Sequence, residues 1–233
     1  MSDDILLGRE KEISLINSLM DKKENIIIFG QEGFGKSAIL RYILANRKMS
    51  AILFSERSLS LRESLINLIA SNNDSMGNIK GKNILSLKKA FYGILNKNPE
   101  YIVFDHIGRV EPKFYSFLTY LMDKNIPLLI ISHGLDKQHT GHLRMALYDF
   151  KKVEIAYFNK AASNALVDNF IREYEIKLSK EADFKRVIFN YSKGNPKIIK
   201  ALCLLARGGK YQKNDVLDVK LMDLDRRINE AVR

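Results

Sequence analysis

A glycine-rich loop near the amino terminus constrains the fold of this chain more than any other segment. The loop fits the pattern G-x-x-x-x-G-K-[ST] and reads Gly30-Gln31-Glu32-Gly33-Phe34-Gly35-Lys36-Ser37. An apolar run at residues 26–29 precedes it, and apolar residues at helical spacing follow it. In a strand–loop–helix unit of this kind, backbone N–H groups and the start of the helix surround an anion. The pattern therefore predicts an α/β fold with a site for a nucleoside triphosphate.

The side chains of this loop have separate expected roles. Lys36 is expected to neutralise the terminal phosphates of ATP or ADP, and the hydroxyl of Ser37 is expected to ligate Mg²⁺. The residues expected to line the nucleotide here are Gly30, Gln31, Glu32, Gly33, Phe34, Gly35, Lys36, Ser37 and Ala38. The alternative is a glycine-rich turn that merely joins a strand to a helix, but all four signature residues stand in the right context.

An acidic residue and a histidine follow the apolar run at residues 101–104, where a third strand is expected. Asp105 at the end of such a strand can hold the Mg²⁺ shell, although an acid there can also cap a helix. His106 comes next, and its neutral imidazole can accept a proton but lacks the charge of a carboxylate. We predict Mg²⁺ ligation by Ser37 and Asp105, and catalytic roles for Lys36, Asp105 and His106.

Two further polar residues are candidate catalytic groups. Ser132 follows the fourth expected strand, residues 127–131, where it either senses the terminal phosphate or is an ordinary loop serine. Arg144 precedes the fifth expected strand, where it either reaches a phosphate on a neighbouring subunit or is a solvated helix residue. The four histidines lack the cysteine or acid partners of a metal site, so no structural metal is predicted.

Hydrophobic periodicity divides the chain into two regions. Strands are expected at residues 26–29, 51–54, 101–105, 127–131 and 153–156, with helices between them. From Asn159 onward only helices are expected, at residues 160–174, 180–191, 196–207 and 215–231. Asn159, Ser179 and Asn195 are expected to cap the first three of these. The prediction is a three-layer parallel-sheet base (1–157), a small helical lid (158–209) and a C-terminal helix (210–233).

Length and composition fit an ordinary globular protein. The chain has 233 residues, of which 46% are hydrophobic, and its single cysteine, Cys203, excludes a disulfide framework. The first residues lack the basic and apolar regions of a signal peptide, and no apolar stretch approaches the roughly 18–20 residues that span a bilayer. We therefore expect a cytoplasmic protein that does not act at a membrane.

The net charge of +11 is unevenly distributed along the chain. Residues 184–214 contain no carboxylate and eight cations, namely Lys185, Arg186, Lys193, Lys197, Lys200, Arg207, Lys210 and Lys213. Such a stretch attracts phosphate, which can belong to the nucleotide, to duplex DNA or to an acidic protein partner. The alternative is a solvated lysine-rich surface without a partner.

Several motifs taken together resemble those of a known family. Besides the phosphate loop and Asp105, the chain has Leu7-Gly8-Arg9-Glu10-x-Glu12-Ile13 near its start and Ser192-x-Gly194-Asn195-Pro196 in the predicted lid. This set resembles the AAA+ and STAND ATPases. The pattern is most similar to the origin-recognition and archaeal STAND-type branch, and to the transposition and secretion ATPases with a Gly-x-Pro lid. The resemblance covers residues 7–205 and implies an AAA+ type P-loop NTPase base followed by a helical lid.

The resemblance also implies roles that the residues alone do not indicate. Residues 5–9 (including Leu7, Gly8 and Arg9) would contact adenine, and Ser132 would be sensor one. The Gly194–Lys197 turn would bring the lid over the nucleotide, with Pro196 and Lys197 at the site. Two departures from the family pattern stand out. His106 stands where many members have an acid, and Lys197 follows the proline where some members carry an arginine. Both departures imply slow or partner-dependent hydrolysis.

Three functions are compatible with this sequence. The first is an ATP-dependent switch with slow hydrolysis, in which nucleotide closes the lid and alters self-association or partner binding. The second is an ATPase that assembles on duplex DNA through the basic lid and the loop at Lys80 and Lys82. The third is a small-molecule kinase, which the phosphate loop alone permits but which the Gly-Arg-Glu opening and the helical lid disfavour.

Overall fold

The protein is built on a five-stranded parallel β-sheet. The computed structural model describes residues 7–47, 51–72, 79–208, 210–213 and 216–232. The strands of the sheet are β1 (Ile26–Phe29), β2 (Ile52–Ser55), β3 (Tyr101–Phe104), β4 (Leu128–Ser132) and β5 (Lys151–Glu154). Their spatial order is β2-β3-β4-β1-β5, and all neighbours are parallel. The predicted α/β class with a parallel sheet is confirmed.

Continuous apolar strands and the helices between them explain this sheet. Every residue of β3 and β4 is buried, which is typical of parallel sheets with both faces covered. The helices that alternate with the strands are α1 (Glu10–Asp21), α2 (Lys36–Asn46), α3 (Leu61–Ser71), α4 (Ile84–Leu95), α5 (Pro112–Asp123) and α6 (Lys137–Thr140), followed by a 3₁₀-helix (His142–Asp149). Buried aromatic side chains, among them Phe91, Phe104 and Phe117, fill the core beside the sheet.

The described chain forms two compact units. The sheet unit comprises Lys11–Gln31 and Lys36–Ile155, and the helical unit comprises Glu32–Gly35 with the described residues of 1–10 and 156–233. The helices of the helical unit are α7 (Lys160–Glu173), α8 (Glu181–Ser192), α9 (Pro196–Ala206) and α10 (Val219–Ala231). They surround a separate core that includes Phe170, Ile188 and Leu202. The tip of the phosphate loop therefore belongs with the helices, and the rest of the loop belongs with the sheet.

The helical unit also contains two short strands, which contradicts the expectation of helices alone. These strands, β6 (Gln212–Lys213) and β7 (Val216–Leu217), pair antiparallel. Strands of two residues are too short to show an alternating hydrophobic pattern, so the sequence gives no signal for them. Helix α10 begins at Val219. The expected helix start at Asp215 lies outside the described residues.

Helix caps in the helical unit are partly as expected. Asn159 caps α7 by accepting a hydrogen bond from the N–H of Ala162, and Asn195 caps α9. The expected cap at Ser179 is wrong, because α8 begins one residue later, after Lys180, which makes no side-chain cap bond. A serine near a helix start is thus a weaker signal than the Asn-Pro pair, whose proline also fixes the first turn.

Several strand boundaries in the sheet unit differ by one or two residues from those expected from the hydrophobic pattern. β5 is an edge strand that begins at Lys151 and buries only Val153. Because its first two residues are exposed lysines, no hydrophobic pattern marks the start of the strand. β4 includes Ser132 as its last residue. None of the described helices combines the length and the apolar character needed to cross a bilayer.

Candidate nucleotide-binding site

The carboxyl edge of the sheet places several predicted site residues in register. β1 pairs with β4 so that Phe29, the residue before the phosphate loop, lies beside Ser132. β3 pairs with the other side of β4, with Phe104 beside Ile130, and Asp105 follows Phe104. Because parallel strands end at the same edge, the start of the loop, Asp105 and Ser132 share the edge where ligands bind in open α/β sheets.

Asp105 and Ser37 form the candidate Mg²⁺ site. Ser37 Oγ donates a hydrogen bond to Asp105 Oδ1 across 3.0 Å, and Asp105 is 1% exposed. Backbone hydrogen bonds with Ser55 and Ser58 fix the position of Asp105. Within the described part of the chain, no three His, Cys, Asp or Glu side chains converge as a metal site. A hydroxyl and a carboxylate are oxygen ligands of the kind that suit an ion whose other ligands come from phosphate and water, as those of Mg²⁺ do.

His106 lies beside this carboxylate in a constrained backbone conformation. Its Nδ1 is 2.9 Å from Asp105 Oδ1, and its φ of +51° is uncommon for a non-glycine residue. When Nδ1 donates to the carboxylate, Nε2 becomes the proton-accepting nitrogen of the neutral ring. The ring centroids of His106 and His133 are 6.0 Å apart, and those of His133 and His139 are 6.3 Å apart. The His106 side chain is 44% exposed, so water can reach it.

Lys36 opens helix α2 and holds the first half of the phosphate loop. Its side chain is buried, and its Nζ donates to the carbonyl oxygens of Gly30 at 2.5 Å and Gln31 at 2.9 Å. A Cβ on Gly30 would lie 2.2 Å from the Ile155 carbonyl oxygen, so no larger residue fits there. Ala38 is exposed in the first turn of α2. The ammonium group of Lys36 can exchange its carbonyl partners for phosphate oxygens.

Helix α9 packs against the tip of the phosphate loop within the helical unit. Asn195 Nδ2 donates to the carbonyl oxygen of Glu32, and the backbone N–H of Lys197 donates to that of Gly33, each at 3.2 Å. The Lys197 ammonium group lies 2.7 Å from a carboxylate oxygen of Glu32. Lys197, which the resemblance assigns to the nucleotide, therefore pairs with a side chain of the loop itself.

Arg9 anchors the same tip from the amino-terminal segment. The side chain is 3% exposed, and its NH2 group donates to the carbonyl oxygens of Phe34 at 3.2 Å and Ala156 at 2.7 Å. Its guanidinium lies 4.2 Å from the centroid of the Phe158 ring, within cation–π range. The rings of Phe34 and Tyr157 lie 4.3 Å apart. Arg9 thus holds loop backbone, and its contact with adenine stays a prediction.

The residues on either side of Arg9 form a tight turn. The N–H of Gly8 donates to Glu10 Oε1 at 3.0 Å. The pKa of the Glu10 carboxyl is lowered mainly by a hydrogen bond from its own backbone N–H, and further by this bond from Gly8. A Cβ on Gly8 would lie 2.9 Å from the Cβ of Ala162. Leu7 is partly buried, and residues 5 and 6, which were expected near adenine, lie outside the described residues.

The remaining predicted residues are Ser132, Arg144 and Pro196. Ser132 is buried, and its Oγ donates to the carbonyl oxygen of Gly134 at 2.8 Å. Arg144 is exposed on the 3₁₀-helix that also carries Tyr148, which is 82% exposed. Pro196 lies in the first turn of α9. Their predicted roles in sensing, in acting on a neighbouring subunit and in lid contact stay predictions.

Sequence reasoning missed two contacts of the loop environment. Asn195 was expected as a helix cap and as part of the lid turn near the nucleotide, but not as a donor to the Glu32 carbonyl, and Tyr157 had no expected role. The Asn-Pro pair signals the start of a helix, but no local pattern signals that Asn195 bonds to a residue 163 positions away. Tyr157 lies just after β5, and nothing in its neighbours indicates a ring contact with Phe34.

Solved structures share this fold. The ORC1 protein of Aeropyrum pernix in complex with DNA matches with a TM-score of 0.74 and 12% identity over 98% of this chain and 69% of that chain. A Walker-type ATPase of Pyrococcus abyssi matches with a TM-score of 0.66 and 14% identity over 97% and 72%. A STAND protein with a tetratricopeptide repeat sensor from Pyrococcus horikoshii matches with a TM-score of 0.52 and 14% identity over 96% and 33%.

These likenesses define the class of fold. Neither a family model nor a curated protein matches the sequence. At such low identity the structural matches establish the fold alone, which is that of P-loop ATPases with a helical lid domain. The chain therefore shares the fold of these ORC1, Walker-type and STAND ATPase structures, in agreement with the resemblance that its motifs predicted.

Proposed function

We propose that this protein binds ATP and ADP with Mg²⁺ and acts as a nucleotide-dependent switch. The observation that carries the proposal is the buried Lys36 followed directly by Ser37, whose hydroxyl is bonded to the buried Asp105. Lys36 supplies a cation for the terminal phosphates, and Ser37 and Asp105 supply oxygen ligands for Mg²⁺. The bound ion would neutralise phosphate charge at this edge of the sheet.

The division of the phosphate loop supports a switch rather than simple binding. Residues 32–35 belong to the helical unit, whereas Lys36 and Ser37 belong to the sheet unit. Phosphate bound by the loop therefore acts on backbone that contacts α9. The exposed Arg144 and Tyr148 on the 3₁₀-helix are available for self-association, the output that we propose alongside binding of a protein partner.

A lysine-to-alanine change tests the binding site. Calorimetric titration should show that Lys36→Ala weakens ATP and ADP binding by at least about 100-fold, because the phosphates lose a buried cation. Removing Mg²⁺ should weaken ATP binding by the wild type. Lys89→Ala, which removes an exposed lysine from α4, is the matched control and should bind as the wild type does. Unchanged nucleotide affinity in a folded Lys36→Ala protein would overturn the proposal.

We propose that hydrolysis is slow or stimulated by a partner. His106 Nε2 can accept a proton from an attacking water, but Asp105 Oδ1, which orients His106, is also bonded to Ser37. Metal ligation and orientation of the base would therefore compete for the same carboxylate.

A carboxylate in place of the imidazole should relieve this competition. His106→Glu should release phosphate from saturating ATP about tenfold faster than the wild type or more, since a positioned general base contributes about 10²–10⁴-fold. An equal or lower rate in a variant that binds ATP normally would contradict this assignment. So would wild-type turnover of about 1–1000 s⁻¹ without any partner.

Duplex DNA is a second candidate ligand. Lys200 is exposed on helix α9, and Arg207, two turns later, is exposed directly after the helix ends. The A. pernix ORC1 structure is a complex with DNA. The positive electrostatic potential of the stretch at residues 184–214 is weaker than the sequence suggests, because Lys185 and Lys210 are paired with carboxylates. We propose that any contact with DNA runs along the exposed face of α9.

The salt dependence of binding tests the DNA proposal. Labelled duplex should bind at about 50 mM salt and lose affinity steeply by about 200 mM, because each neutralised phosphate releases counterions. Lys200→Glu with Arg207→Glu should flatten this dependence. Lys113→Glu on α5 with Lys124→Glu directly after it causes the same change in net charge and should not flatten the dependence. Absence of binding at the lower salt, with or without ATP, would exclude DNA.

A further inference from the structure

Three consecutive carbonyl oxygens at the loop tip are each held by a donor of the helical unit. The three pairs are Glu32 with Asn195 Nδ2, Gly33 with the Lys197 N–H, and Phe34 with the Arg9 guanidinium. In a planar trans peptide, a carbonyl and the next N–H point in opposite directions. The N–H groups of residues 33–35 therefore point away from these donors. Consecutive N–H groups presented in this way can bind an anion.

Asn195 has two functions at this position. Its Oδ1 accepts hydrogen bonds from the N–H groups of Lys197 at 3.0 Å and Ile198 at 3.4 Å, which caps α9. These donors identify the oxygen of the amide, so the other atom is the Nδ2 that donates to the Glu32 carbonyl. One side chain therefore fixes both the start of a helix and the orientation of a loop peptide.

The backbone around Asn195 is itself tightly constrained. A Cβ on Gly194 would lie 2.1 Å from the Phe158 carbonyl oxygen, and the Phe158 N–H donates to the Gly194 carbonyl at 2.9 Å. The Asn195 N–H donates to the Ser192 carbonyl. On the loop side, a Cβ on Gly33 would lie only 2.7 Å from Asn195 Oδ1. Asn195 thus follows a tightly packed glycine in its own turn and lies in close contact with Gly33 of the loop.

We infer that Asn195 is a positioning residue for the phosphates of the nucleotide, and this inference rests on the proposed ATP-binding function. Asn195 orients the Glu32–Gly33 peptide so that its N–H faces a phosphate oxygen before the nucleotide arrives. The helical unit thereby contributes to phosphate affinity through backbone orientation rather than through a side chain that contacts phosphate. Hydrogen-bond donors that are already oriented bind phosphate more tightly, because their conformational entropy is lost on folding and not on binding.

A serine at this position separates capping from loop orientation. Asn195→Ser keeps a capping oxygen but loses the donor to the Glu32 carbonyl. Competition against a fluorescent ADP analogue should show about 3- to 10-fold weaker binding of ATP, ADP and inorganic pyrophosphate. Binding of adenosine, which has no phosphate, should not change. The thermal midpoint of the nucleotide-free protein should stay near that of the wild type.

The same change at another helix cap is the matched control. Asn83 caps α4 by accepting from the Ser86 N–H, so Asn83→Ser should alter none of these affinities. If Asn195→Ser lowers the thermal midpoint, Asn195→Thr repeats the test with a second capping residue. Wild-type affinity for pyrophosphate in the Asn195 variants, or an equal loss for adenosine, would overturn the inference. A wild-type protein that binds neither ATP nor ADP would instead refute the proposed function.

Discussion

The first half of the phosphate loop is held by its own lysine, whereas the second half is held by residues of the helical unit. Lys36 reaches carbonyls only five and six positions earlier in the chain. The tip depends on Arg9 and Asn195, which are 25 and 163 positions from the residues they bond. Residues of the phosphate-loop motif therefore fix the conformation of the first half of the loop themselves. The conformation of the second half depends on a folded helical unit.

Two glycines of the loop provide the largest test of this comparison. Gly33 and Gly35 have φ of +82° and +87°, so alanine at either position costs about 1–2 kcal/mol of backbone strain. A Cβ on Gly33 also collides with Asn195 and Lys197, whereas a Cβ on Gly35 meets no atom within 4 Å. Gly33→Ala should therefore lower the free energy of unfolding by about 1–3 kcal/mol more than Gly35→Ala, as overpacking does.

Chemical denaturation of the nucleotide-free variants measures this difference. Gly35→Ala is the matched control, because it carries the same strain without the collision. Equal destabilisation by the two changes would mean that the tip is not packed on α9, and the contrast between the two halves of the loop would be lost.

A smaller effect is expected from the ion pair between Glu32 and Lys197. Both side chains are more than half exposed, so Glu32→Gln should change the free energy of unfolding by less than about 1 kcal/mol. Nucleotide affinity should rise by about two- to fivefold at low salt, because a negative charge leaves the phosphate site and Lys197 is released. The gain should shrink as salt increases.

A second exposed glutamate provides the control for this charge change. Glu56 pairs with Arg41 at 3.5 Å, and both side chains are exposed. Glu56→Gln makes the same charge change away from the loop tip and should leave nucleotide affinity unchanged. If Glu32→Gln weakens binding instead, Glu32 supports the loop and does not compete with phosphate for Lys197.

The basic stretch at residues 184–214 shows how tertiary structure changes a charge pattern. No carboxylate occurs within it, yet Lys185 contacts Asp168 and Glu181, and Lys210 contacts Asp225. The carboxylates come from the preceding helix, from the first turn of α8 and from α10. A count along the sequence therefore overstates the positive charge that this surface presents, because folding brings in acids from outside the window.

The strand–loop–helix unit, the strand before Asp105 and the Asn-Pro start of α9 could all be predicted from the sequence. Each depends on interactions between residues close in the chain, such as helical periodicity, capping and the bonds from Lys36 to its own loop. Local patterns could not predict the β6–β7 pair, the buried position of Arg9 or the contact between Asn195 and Glu32. These features were decided by the tertiary structure, because they join backbone groups whose neighbours in sequence give no sign of the partner.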